Sequence, residues 1–307
     1  MIKRENLFTT IMTNQLHDTH VHLDMLLSKL NFLPDGRIIE SLDNEEFEFQ
    51  LAQTILSDSA SKKLESLITG HEFLCHSTVS TKNFLHCHKL FNSVNKVRYF
   101  LGSHPDIVDD KFELESYLDF QTQMINKHQI KDKIIGIGEI GLDYYHCQDE
   151  LLQDIQKKLF ESQIQLAINL DLPIMIHCRE AFGDLFEILE RYPQIHGKFL
   201  VHCFTAGVDE MYKIVQLNGK MAFGGVSTFK SANDLHQAII ECPLECFVLE
   251  TDLPFLAPIR GQICLPAMID IIADRVGELK NLTKDEIWEL SRMNTLELFG
   301  GIKSDSL

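Results

Sequence analysis

Short apolar runs of strand length alternate along the chain with longer stretches whose apolar residues recur at helical spacing. The strand-like runs fall at 16–22, 72–77, 98–102, 134–139, 173–177, 198–202, 221–225 and 246–252. The stretch 151–169 is representative of the segments between them, with Leu152, Ile155, Leu159 and Leu166 on one helical face. Strands separated by helices imply βαβ units and a parallel sheet. Eight such units in 307 residues predict an α/β fold, a closed (β/α)8 barrel. An open doubly wound sheet is the alternative, but no Gly-x-Gly-x-x-Gly turn follows the first strand. Barrels of this kind commonly run to about 250 residues as one unit, so residues 1–307 are expected to form a single domain.

One connection is too long for a single helix. About residues 30–63, after the first strand, form an acidic insertion carrying Asp35, Glu40, Asp43, Glu45, Glu46, Glu48 and Asp58. A helix is expected over 45–56. A loop that follows a strand opens on the catalytic face of a barrel, so a lid or substrate wall is one reading and a solvated excursion the other. The tail 303–307 is expected to fray. The sequence shows no internal repeat and no low-complexity tract.

Charge narrows the possible partners. Lys and Arg total 28 against 45 Asp and Glu, a formal charge of −17, so an overall basic footprint for polyanions is absent. An enzyme gripping a few phosphates through bound cations stays open, because ions reverse the local field. No run of about 18 apolar residues exists, which argues against a membrane span. The basic N-terminus lacks the apolar core of a secretory signal. The eight Cys residues form no CxxC pair and read as free thiols in a reducing cytoplasm. His86-Cys87-His88 is a poor chelate, since adjacent helical residues diverge by about 100°.

The chemistry sits at the strand ends. The first strand ends in His20-Val21-His22, and a period of two puts both imidazoles on one face. Further ends carry Gly102-Ser103-His104, Glu139, His177-Cys178-Arg179, His202-Cys203 and Glu250-Thr251-Asp252. In a parallel barrel these ends open together. Burying so many ionisable groups side by side is unfavourable unless cations compensate them. His20, His22, Glu139, His177, His202 and Asp252 exceed the roughly three protein ligands of one open catalytic ion. Two divalent ions are therefore expected. His20, His22 and Asp252 would hold one, His177 and His202 the other, and Glu139 would bridge. Two ions about 3.5–4 Å apart activate a water and stabilise both oxygens of an in-line displacement. Asp252 would also take the proton of the attacking water. Mixed N/O ligation suits Zn²⁺ or Mn²⁺, and Mg²⁺ less well.

DTHVHLD (18–24), GSHP (102–105), GEIGLDYY (138–145), PIMIHCREA (173–181), HCFTAG (202–207), FGG (223–225) and ETDLPFLAP (250–258) come in the order of a known family. From Asp18 to Pro258 the chain resembles the TatD-type metal-dependent deoxyribonucleases. The resemblance implies a distorted TIM barrel of the amidohydrolase superfamily and metal-dependent phosphodiester hydrolysis. It also implies single-stranded DNA or RNA ends as substrate, taken 3′ to 5′, with no obligate protein partner. It places the ligands on the same six residues, His104 beside the metals near a phosphate, and Arg179 as a guanidinium fork for a phosphate oxygen. The sequence departs from the family at Cys264-Leu265-Pro266, where Asn-Glu-Pro is usual, and in the length of the insertion.

Other residues have ordinary readings beside functional ones. Cys178 and Cys203 are expected to point outward under helices rather than act as nucleophiles. Cys242 and Cys246 lie in a strand-like stretch. Asp143 would orient a ligand or cap the next helix. Gly224 and Gly225 would give a substrate floor or a tight turn. Trp288 belongs to a C-terminal amphipathic helix. Phe204 and Phe255 would stack a base or simply pack, packing being favoured. Competing functions are a metal-dependent deacylase, esterase or amidase, and a non-enzymatic scaffold. The altered loop supports the former, and six retained ligands argue against the latter.

Overall fold

The computed structural model describes residues 16–34, 40–128 and 134–300. The N-terminal stretch 1–15 and the tail 303–307 lie outside the described residues. Eight strands run in chain order: β1 (Leu16–Val21), β2 (His71–His76), β3 (Val97–Phe100), β4 (Ile134–Asp143), β5 (Ile174–Arg179), β6 (Phe199–Val201), β7 (Lys220–Phe223) and β8 (Phe247–Leu249). Each pairs in parallel with the next. The expected (β/α)8 barrel is present, and its distortion lies at the β8–β1 seam. There a single Val21–Leu253 bridge replaces a ladder. The His22 amide donates to the Leu253 carbonyl at 2.9 Å, and the Asp252 amide to the His20 carbonyl at 3.0 Å. Buried Asp18 adds the side-chain stitch, accepting from the Thr251 hydroxyl at 2.6 Å and the Thr251 amide at 3.0 Å. Burial pushes the Asp18 carboxyl up to about 8 against the pull of these donors.

The helices are α1 (Leu23–Lys29), α2 (Asn44–Gln53), α3 (Asp58–Leu67), α4 (Thr81–Leu90), α5 (Leu114–His128), α6 (Glu150–Leu170), α7 (Phe182–Arg191), α8 (Val208–Gln216), α9 (Asn233–Glu241), α10 (Ile269–Lys280) and α11 (Lys284–Leu298). Their ends follow local chemistry. Asp149 accepts from the amides of Leu151 and Leu152 to start α6, and Asp171 in the left-handed conformation stops it. Cys242 follows the end of α9 and Cys246 closes a turn before β8, so neither lies in a strand. No helix among the described residues is long and apolar enough to cross a membrane.

Two apolar layers follow from the period of two. Phe73, Cys75, Phe100, Ile135, Met175, Leu200, Ala222 and Val248 form one cluster, one or two from each of β2 to β8, inside the barrel. Leu298 and Phe299, at the end of α11, join it. Their strand neighbours, such as Leu74, Tyr99, Ile176, Val201, Phe223 and Leu249, face the helices. Trp288 packs at 8% exposure, edge-on against His17.

Among the described residues of the insertion, α2 lies along α4 on the flank of the barrel. Lys82 near the start of α4 donates to the Leu42 carbonyl at 2.6 Å. Lys89 near its end donates to the carbonyls of Leu51 and Ala52, in the last turn of α2. Phe47 is buried, and Glu48 pairs with Lys127 of α5 at 2.7 Å. Burial of Phe47 and Leu51 and the Lys89 cap on its last turn hold α2 there despite the acidic character of the segment. Its capping box, Asp43 with Glu46, begins the helix.

Buried histidines make the fold acid-sensitive. Burial holds His17 down to about 3 and His71 to about 4. Below about pH 6.5 the unfolded chain takes up protons that these native rings refuse, so stability falls as pH falls toward 4. Each ring is expected to remove about 2 kcal/mol by about pH 5. Urea unfolding at about pH 7.5 and pH 5 measures the loss, and His17→Gln should show the smaller drop. An equal drop in the variant would exclude His17 as a source.

Candidate metal centre

The inward residues of the strands continue, two positions on, into polar side chains at the barrel mouth. Met175 leads to His177, Leu200 to His202, and Val248 to Glu250 and then Asp252. From β1 come His20 and His22, whose Nε2 atoms lie 3.1 Å apart. Glu139 of β4 stands between two groups of imidazoles. Its Oε2 is 3.3 Å from His20 Nε2 and 3.7 Å from His22 Nε2. Its Oε1 is 2.7 Å from His202 Nε2, 3.0 Å from His177 Nδ1 and 3.4 Å from His104 Nε2. Asp252 Oδ1 completes the first group, 3.5 Å from His20 Nε2 and 3.6 Å from His22 Nε2. The six residues expected as ligands converge, with His104 beside them.

In three of the rings the second nitrogen has a neighbour that orients it, while His202 Nδ1 is buried with Glu250 Oε1 3.8 Å away. His22 Nδ1 donates to the Ser77 carbonyl at 3.1 Å. His20 Nδ1 faces Ser77 Oγ at 3.0 Å and Met175 Sδ at 2.9 Å. His177 uses the opposite tautomer: Nε2 donates to Asp143 Oδ2 at 3.1 Å, and Nδ1 turns to Glu139. These contacts hold ring protons on the outer nitrogens and aim lone pairs inward, as metal ligation requires. His104 differs. Its Nδ1 accepts the Asp106 amide at 3.1 Å, so the neutral ring carries its proton on Nε2, pointing into the centre. It is therefore suited to donate to an anion rather than to ligate.

The electrostatics call for positive charge. Burial works to raise the Glu139 pKa, but the imidazoles of His202, His20 and His104 hold it well below the carboxylate range. Asp252 is likewise buried yet held low by His22, His20 and His202. Burial opposes protonation of His202, but Glu139 and Glu250 raise its pKa well above the ordinary value. Two ionised carboxylates among buried imidazoles form a donor set that divalent cations fit. His20, His22 and Asp252 form one group of three donors, and His20, Glu139 and His202 another.

Several residues take one of their alternative roles. Asp143 orients His177 and accepts from His146 Nδ1 at 2.8 Å, while Asp149 does the capping of α6. Phe204 is 1% exposed and packs between Phe182 and Phe223, whereas Phe255 is 40% exposed at the mouth, 6.0 Å from the His22 ring. Gly224 and Gly225 take the tight-turn role: the Ser227 amide donates to the Gly224 carbonyl at 3.0 Å, and a Cβ on Gly225 would meet the Leu256 carbonyl at 1.8 Å. Cys178 packs with the outer core, and burial pushes its thiol up to about 12. Cys203 does not turn away from the charges. Burial and the carboxylates of Asp252, Glu250 and Glu139 hold it protonated, which removes it as a nucleophile. Cys264 is fully buried, its thiol 3.8 Å from the Thr251 carbonyl, so the departing loop supports Asp252 from below. Arg179 is exposed and lies over the Tyr145 ring, 3.8 Å from its centroid.

Sequence reasoning missed Ser77, Met175 and Glu250 as neighbours of the ligands. Ser77 and Glu250 had the same signal as the ligands, a polar residue at a strand end. Met175 looked like core and had none. Gly102 was seen only as part of a motif, yet a Cβ there would lie 2.2 Å from the Gly138 carbonyl carbon, so only glycine lets β3 pass the peptide that carries Glu139.

A family model described as TatD related DNase matches residues 17–300. The metal-dependent hydrolase YabD of Bacillus subtilis, described as uncharacterized, is 29% identical over 92% of this chain and 98% of its own. The human 3′-5′ RNA nuclease TATDN2 is 30% identical over 92% of this chain and 35% of its own. In fold, the chain is similar to YjjV, a TatD homolog from Escherichia coli K12, with a TM-score of 0.74, 24% identity and coverage of 94% and 99% of the two chains.

Asp143→Asn removes the charge that fixes the His177 tautomer. The variant should bind a divalent cation about 10–100-fold more weakly, as read by calorimetric titration of chelator-stripped protein. Unchanged affinity would show that Asp143 does not act through His177.

Proposed function

Because the chain belongs to the family of TatD-related DNases, we propose that it is a divalent-metal-dependent hydrolase that shortens single-stranded nucleic acid from the 3′ end. The observation that carries this reading is the placement of Glu139, one carboxylate oxygen toward His20 and His22 and the other toward His177 and His202. Two ions fit that arrangement: one with His20, His22 and Asp252, one with His177 and His202, and Glu139 between. Zn²⁺ and Mn²⁺ suit the donors, and Mg²⁺ suits them less. When bound, such ions supply an activated water and neutralise charge on the phosphate.

The chain's own groups do the rest. Asp252, ionised and at the inner edge of the mouth, takes the proton of the attacking water. His104 Nε2–H donates to a phosphate oxygen, which compensates the charge building there. Arg179, propped on Tyr145 at the rim, holds a neighbouring phosphate through its planar fork. The substrate class follows from phosphate recognition. The family's description names DNA and the human relative's name RNA, so both sugars are tested. With eight free thiols, the setting we infer is a reducing cytoplasm.

Chelator-stripped protein given Mg²⁺, Mn²⁺ or Zn²⁺ should cut a 5′-labelled single-stranded oligonucleotide into a ladder that shortens from the 3′ end. No cleavage with any ion, from protein shown to be folded, overturns the reading. Glu139→Gln should lose turnover by about 10²-fold or more with unchanged circular dichroism. Salt should weaken binding less steeply than for a basic groove, because few Lys and Arg displace counterions.

A further inference from the structure

A second cluster of donors lies outside the catalytic mouth, between the barrel wall and its helices. Asp24 on α1, His76 at the end of β2 and Cys87 on α4 are all buried, and a ligand atom of each lies within 4.8 Å of the others. Asp24 Oδ1 and His76 Nε2 are buried without any hydrogen-bond partner. They stand 3.8 Å apart, too far for a hydrogen bond. Two ligands of a tetrahedral ion with bonds of about 2.1 Å are about 3.4 Å apart, so a cation would close the gap with a small movement. Asn83 donates to Asp24 Oδ2 at 2.9 Å, which leaves Oδ1 turned toward the cluster. The Tyr99 hydroxyl is also buried and unpartnered, and its ring meets His76 edge-on at 5.9 Å.

We propose that Asp24, His76 and Cys87 form a separate structural site for a divalent cation with thiolate affinity, zinc foremost. One thiolate and one carboxylate bring two negative charges and the imidazole none, so a divalent ion makes the buried cluster neutral. On binding, the Cys87 S–H bond breaks, its proton leaves to solvent and a sulfur–metal bond forms. The Leu23 amide donates to His76 Nδ1 at 3.2 Å, which leaves the ring proton on Nε2 in the metal-free cluster. Ligation through Nε2 would move that proton to Nδ1, where the Val21 carbonyl beside the ring accepts it in place of the amide contact. Of the three residues 86–88, only Cys87 joins the cluster. His86 Nδ1 meets the Thr54 hydroxyl and His88 stacks on Phe84. The bound ion would tie α1 and α4 to β2, beside the strand that carries His20 and His22.

Cobalt substitution tests the site without reference to turnover. Full-length protein stripped with chelator and loaded with Co²⁺ should show a thiolate-to-cobalt charge-transfer band in the near ultraviolet. Cys87→Ser should lose the band and hold one ion fewer per chain by elemental analysis, while Cys203→Ser keeps both. Wild-type protein without the band overturns the proposal and leaves a water to bridge the cluster. A band that survives Cys87→Ser overturns it too. Should Cys87→Ser fail to fold, His76→Asn gives the same comparison, with loss of the band expected and its persistence decisive against the site. Since none of these residues is a catalytic ligand, failure here leaves the hydrolase reading standing.

Discussion

The structure depends on keeping one buried carboxylate ionised. Glu139 is 3% exposed, and burial alone would protonate it. It stays charged because imidazoles from β1, β5, β6 and the loop after β3 all face it. That requirement reaches into the backbone. The β3 end needs Gly102 because the Gly138–Glu139 peptide occupies the space of a side chain. It also reaches outward. His177 can turn Nδ1 inward only because Asp143 takes its other nitrogen, and His22 because the Ser77 carbonyl does. These two rings are thus held from behind by residues with no direct part in the chemistry.

The seam between β8 and β1 serves the same end. A full ladder would keep the chain extended past Leu249. Instead Asp252 adopts a left-handed conformation at φ 56°, which short polar side chains tolerate, and Asp18 secures the adjacent Thr251. The barrel gives up regular pairing where it must aim an acidic side chain inward. Cys264 beneath this loop is fully buried and fills space against the Thr251 carbonyl.

The mouth carries exposed Tyr145, Arg179 and Phe255. An acidic chain can then approach a polyanion at one cationic point. The remaining negative surface would discourage wider contact along a nucleic acid.

The sequence by itself determined the barrel and which candidate metal-binding side chains meet at its mouth. Strand periodicity is local: a period of two carries His20 and His22 to one face and sets His177 and His202 two steps beyond an inward apolar residue. Parallel βαβ units then bring those ends to one mouth, so the convergence of the six candidate ligands was legible without knowing any distance. Only the tertiary structure decided the tautomers of His20, His22 and His177, because they depend on Ser77, Met175 and Asp143, which lie far from their partners in sequence or look like ordinary core. It also decided that α2 packs on α4, where Lys89 caps its last turn and Phe47 is buried despite a run of acidic residues. The grouping of Asp24, His76 and Cys87 was invisible for the same reason. Each lies on a different element with no spacing to link them, and contact across packed elements leaves no period in the chain.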